Sequence, residues 1–145
     1  MTEAQTALAR RAVACPKWRW KPGMRTLGNM RVIHDPDRWP DRPCALREGG
    51  WVDTAPPRPL GDDLPDLSDA ATLGCLLALV REALKAPTTH VLLSFGAWYI
   101  EREAQDGSGD SEWLHVDGVW GCGSAAIINA STEAEALVAA LEAAP

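Results

Sequence analysis

No apolar run in this chain approaches membrane-spanning length, no CxxC or Cys–His pair has zinc-finger spacing, and no cofactor or catalytic motif is spelled anywhere in its 145 residues. The first absence excludes a transmembrane helix. The second leaves Cys15, Cys44, Cys75 and Cys122, widely separated, as free thiols of a reducing compartment. The third argues against an enzyme and against a bound cofactor or metal. Gly121-Cys122-Gly123 fits a β-bulge before Ser124 and does not form a phosphate-binding loop. The opening MTEAQTALARRAVAC lacks the uninterrupted apolar core of a secretory signal, so a cytoplasmic protein is expected. A chain of this length fits one domain over residues 1–145, and removes roughly 68–70% of its unfolded surface from water without staples.

Basic residues are scarce in the second part of the chain. Residues 1–60 carry eleven Lys or Arg against six Asp or Glu, and residues 61–145 carry three against fourteen. The two parts therefore differ in sign, at +5 and −11, within a net charge of −6. Packing of the basic part against the acidic one would account for this, and so would a polarised surface that orients a partner.

What is present is mainly structural. Residues 2–14 form an expected helix, with Thr2 and Gln5 as a capping box, Ala4, Leu8, Ala12 and Cys15 on one face, and Pro16 as its stop. A second helix starts from Ser68 or Asp69 and carries a stripe of Leu73, Leu76, Leu77, Val80 and Leu84; it is the expected central packing helix. Gly74, Ala78 and Arg81 lie on another face, suited to close approach, and Cys75 reads as core filler. A third helix over residues 133–143 has Thr132 and Glu135 as a capping box and Ala134, Leu137, Val138 and Leu141 at helical spacing.

Between the second and third helices the chain reads as an antiparallel meander. Residues 90–95 and 98–103 are strands, the latter with Trp98, Ile100 and Arg102 on one face, and Gly96 marks a bulge between them. Residues 112–116 return, Asp117-Gly118 offers a two-residue turn, and residues 125–129 continue or add a strand. Earlier, eight prolines break residues 16–59, so short edge strands at 18–20, 30–34 and 50–53 and a proline-rich connector around 54–65 are expected. The fold class is α+β, an antiparallel sheet packed against helices. Its C-terminal half runs helix, three- or four-stranded meander, helix. The edge of such a meander leaves backbone groups unpaired, which admits a monomer or a homodimer.

The strings WRWKPGMR, LPDLSDAATLGCLLALVREAL and STEAEALVAALEAAP resemble a family of small phage and prophage proteins of bacteria. Proline is common in that family where Ala70 stands here, which suits a first helical turn and supports Asp69 as N-cap. The resemblance implies a phage-encoded accessory protein in the cytoplasm of a bacterial host and brings no catalytic residues with it. The order helix, three strands, helix is also that of the double-stranded RNA-binding domain. Where that domain places lysines to grip phosphates, this chain has Thr132, Glu133, Ala134 and Glu135.

Trp18, Arg19, Trp20, Lys21, Arg38, Trp39 and Trp51 are the candidate partner-binding residues, because rings and cations alternate through this segment. The same K-W-R-W-K alternation also describes a half-buried strand with its tryptophans inward. His34, Asp35 and Asp37 form an H-D-x-D string that a proline-bounded turn explains as simply as a cation site. His115, Asp117 and Cys122 would make a Cys–His–Asp set only if the hairpin folded them together. The expected function is a non-enzymatic phage accessory protein that binds a host or phage protein, inhibiting a host factor or defence system. The alternative is a nucleic-acid-binding regulator using residues 17–51.

Overall fold

The computed structural model describes residues 2–34, 44–47, 58–60, 62–122 and 127–145. Among these residues three helices form, α1 (Glu3–Ala14), α2 (Ala70–Leu84) and α3 (Glu133–Ala143). Each begins where a side chain satisfies the orphan N–H groups of the first turn. Thr2 and Gln5 close one reciprocal capping box, Thr132 and Glu135 another, and the Asp69 carboxylate accepts from the Thr72 N–H at 2.8 Å. Lys85, left-handed at φ 51°, ends α2.

Two antiparallel sheets accompany them, which makes the fold α+β. A small one orders β1 (Met30–Ile33), β2 (Cys44–Arg47) and β3 (Arg58–Pro59). Part of the expected proline-rich connector thus serves as a strand; residues 54–57 and 61 lie outside the described residues. The larger sheet contains β4 (His90–Ser94), β5 (Ala97–Glu103), β6 (Ser111–Leu114), β7 (Trp120–Gly121) and β8 (Asn129–Ala130). They run β4-β5-β6-β7, and β8 returns to pair with β5 beside β6.

Directly opposed residues of antiparallel strands share a face. Val91, Trp98, Ile100, Leu114 and Trp120 therefore point to the helices, as the alternation of WYIERE requires, while His90, Leu92, Tyr99, Glu101 and Trp113 line the outer face. Met24 and Val32 are buried in the same cluster as Leu76, Ile100 and Leu137, so the N-terminal segment shares the core of the C-terminal half. Hydrogen bonds knit them as well. Leu27 donates to the Leu64 carbonyl and Asp66 to that of Arg25, both at 2.8 Å, and the Arg25 N–H reaches the buried Thr72 hydroxyl.

The central packing helix is α3, not α2. It touches α1, α2, β4, β5 and β8, with Ala134, Ala136, Leu137, Val138, Ala140 and Leu141 all buried. Its alanines let several neighbours approach at once, which a hydrophobic stripe on α2 cannot do. On α2 the buried set is Thr72, Leu76, Leu79 and Val80, and Gly74 faces open space. On α1 the buried face is Ala9, Ala12 and Cys15, with Ala4 exposed.

Two turns differ from expectation. Phe95 and Gly96, at φ 50° and 81°, are the two central residues of a tight turn between Ser94 and Ala97, so Gly96 closes a hairpin and makes no bulge. The turn after β6 has three central residues. His115 N–H bonds to Val119 and Gly118 N–H to His115, with only Gly118 at positive φ. This is a type I turn completed by a left-handed glycine. Among the described residues no helix is long and apolar enough to cross a membrane.

Candidate partner-binding hairpin

The expected tryptophan and cation segment is used by the fold where it is described. Pro16 and Pro22 bracket residues 18–20, which form no strand. Trp18 and Trp20 meet edge to face with centroids 5.5 Å apart and pack half-buried against the core. The Trp18 indole N–H is buried without an acceptor among the described residues. Arg19 and Lys21 converge on Glu82 of α2, Lys21 at 2.6 Å. The two cations, Lys21 foremost, hold the Glu82 carboxyl below its ordinary pKa. Arg11 pairs with Glu142 of α3 at 2.7 Å, which raises the Arg11 pKa. Basic residues of the first part of the chain are thus matched to acidic residues of the second. Arg38, Trp39 and Trp51, with Asp35 and Asp37, lie outside the described residues, as do residues 50–53.

The hairpin does not fold His115, Asp117 and Cys122 together into a Cys–His–Asp set. Asp117 accepts from the Val119 N–H within its turn, the Cys122 thiol lies against the Ser111 carbonyl, and the His115 ring packs over Gly121. The His115 Nε2 is buried without a partner among the described residues. Among the described residues no group of three His, Cys, Asp or Glu side chains could hold a metal ion. A cleft of about 550 Å³ opens where the three helices begin, beside Gln5, Leu8, Leu27, Asp66, Leu73 and Glu133. Among the described residues its lining carries two carboxylates and no cation, and each helix start is filled by its own cap.

Among the described residues the most exposed large apolar side chain stands at the tip of the β4–β5 hairpin, ahead of Val116 and Val119 at 63% and 58% in the turn after β6. Phe95 is fully exposed at its tip, at 101%, and Leu93 and Leu92 are 55% and 37% exposed. Leu92 and Leu93 point to opposite faces, so the exposure follows the strand and its turn instead of one side of the sheet. A two-residue turn with both central φ positive favours Asn-Gly, because a bulky residue in the left-handed region costs about 1–2 kcal/mol. Here the chain's single phenylalanine occupies that position. A sequence reading places an apolar Phe in the core; only the Phe-Gly pair between two strands signals a tip.

Behind the tip, the outer face holds a row of His90, Glu101, Trp113 and Gly121 across four strands. Tyr99 meets Trp113 edge to face at 5.4 Å. Glu101 is 8% exposed, its Oε2 has no hydrogen-bond donor among the described residues, and His90 Nε2 lies 4.0 Å away. On the inner face Arg102 forms a two-pronged pair with Glu112 and stacks over Trp120 at 4.3 Å, which fixes the base of the hairpin. No protein-family model, no curated protein and no solved structure matches the chain.

Proposed function

We propose that the protein acts by binding another protein, without catalysis, and that the tip of the β4–β5 hairpin is its anchor. The observation that carries this reading is Phe95, fully exposed and left-handed at a turn where Asn or Gly would be cheaper. A rigid aromatic ring beside an exposed leucine is the kind of group that fills a pocket on a partner. The stacked and paired residues at the hairpin base hold that ring on an ordered support. The resemblance of the α2 and α3 segments to phage and prophage proteins supports a specific form, an accessory protein that inhibits a host factor or defence system in the bacterial cytoplasm. Among the described residues no observation favours the nucleic-acid alternative: Arg19 and Lys21 are matched by Glu82, and Trp18 and Trp20 lean on the core.

Photo-crosslinking tests the reading. A benzophenone amino acid at position 95, expressed in a bacterial host, should yield one dominant adduct that the same probe at Ser108 does not. Excess wild-type protein should compete the adduct away, and Phe95→Asn should not. Equal adducts at positions 95 and 108, or equal competition by both proteins, would sink the proposal.

A further inference from the structure

We infer that β4 is a self-pairing strand, through which two copies of this chain join antiparallel, with Leu92 of each on the two-fold axis, into one continuous sheet. Among the described residues, β4 of the larger sheet is bonded to β5 alone. The two-residue turn makes Ser94 and Ala97 the closing bonded pair, so Leu92 and His90 also direct their backbone groups to β5. Val91 and Leu93 direct theirs outward, where no backbone partner is present among the described residues. The strand HVLLS has no proline, lysine or carboxylate, the devices that normally blunt an open edge.

The pattern of the edge matches a second copy of itself. With Leu92 opposite Leu92, Val91 of each copy meets Leu93 of the other, and four N–H···O=C bonds close between them. His90 meets Ser94, and no like charges oppose each other. A one-residue slip would set the core face of one copy beside the outer face of the other. A two-residue slip would draw either Phe95, which is left-handed, or Thr89, whose N–H already bonds to Ala86, into the ladder. Among the described residues the opposite end of the sheet is β7, two residues long, a poorer acceptor for head-to-tail growth than the five-residue β4. An isologous pair buries both long edges and closes. The inference does not depend on the Phe95 reading, because the turn lies beyond the paired stretch.

Sedimentation velocity of the wild-type chain should show monomer converting to dimer as concentration rises. The Val91 and Leu93 amides should become protected from hydrogen exchange over the same range. Leu92→Lys and Leu92→Glu should each lose the dimer, and mixing them should restore one, because residue 92 faces its own counterpart across the axis. A wild-type chain that stays monomeric to its solubility limit overturns the inference. So does a dimer indifferent to both Leu92 variants, or one whose Val91 and Leu93 amides exchange as in the monomer. Should the variants fail to fold, the wild-type exchange comparison decides alone.

Discussion

Gly118 lies directly against the backbone carbonyl of Ala143: a Cβ at position 118 would stand inside the contact distance of that oxygen, and the residue's φ is +80°. The turn between β6 and β7 therefore docks on the last residue of α3 through a site that only glycine fits. Gly118→Ala should destabilise the fold by ~2–4 kcal/mol, the sum of left-handed strain and a clash with main chain. Gly96→Ala, at φ +81° with nothing within 4 Å, should cost only about 1–2 kcal/mol. Urea denaturation of the two variants measures the difference, and equal losses would refute the close docking.

Phe95 should behave in the opposite sense. Phe95→Asn relieves the left-handed strain and removes exposed apolar surface, so it should stabilise the monomer by about 0.5–1 kcal/mol while abolishing partner capture. Thermal denaturation reads the first effect and crosslink competition the second. A variant less stable than wild type would mean that the ring packs on its own protein.

Glu82 should contribute in a pH-dependent way. Its lowered pKa, caused first by Lys21 and then by Arg19, means that its contribution is whole above the ordinary value of 4.5 and is lost as pH falls through the lowered one. Glu82→Gln should cost under about 1 kcal/mol at neutral pH, since the carboxylate is exposed. The gap between wild type and variant should close in acid. Paired denaturation curves at pH 7 and pH 3 check this; a gap that widens at the lower pH contradicts it.

The four thiols should react in an order set by burial. Cys122 is exposed, Cys75 is half-buried with its pKa raised chiefly by desolvation, and Cys15 and Cys44 are buried. Iodoacetamide followed by peptide mass mapping should label Cys122 first and Cys75 slowly. Cys15 and Cys44 should react only on unfolding, and early labelling of Cys15 would contradict its place between α1 and α3.

The parts of this fold legible in the sequence are those that depend on neighbours a few residues away. Thr2 with Gln5, Asp69 with Thr72, and Thr132 with Glu135 announce their helices because capping is satisfied within one turn. The faces of β5 follow from alternation alone. What the sequence misplaced depends on distant contacts. The α3 helix shows little contrast between its sides, and its burial arises from five elements that reach it from elsewhere in the chain. The K-W-R-W-K alternation suggested a strand, but Glu82 and the core, distant in sequence, position those side chains instead. Phe95 was hidden by its own chemistry, since an exposed phenylalanine in a left-handed turn runs against both hydrophobicity and backbone preference.

The position of β5 also sets an order in time. It pairs with β4 along one edge and shares the other between β6 and β8. The β4–β5 and β5–β6 contacts span short loops and can close early, at little entropic cost. β8 must travel back past β6 and β7 to reach Trp98 and Tyr99, and α3 follows it directly. The rest of the second edge of β5 and its helical cover therefore arrive together, and a nascent chain cannot commit to its native core until α3 has emerged.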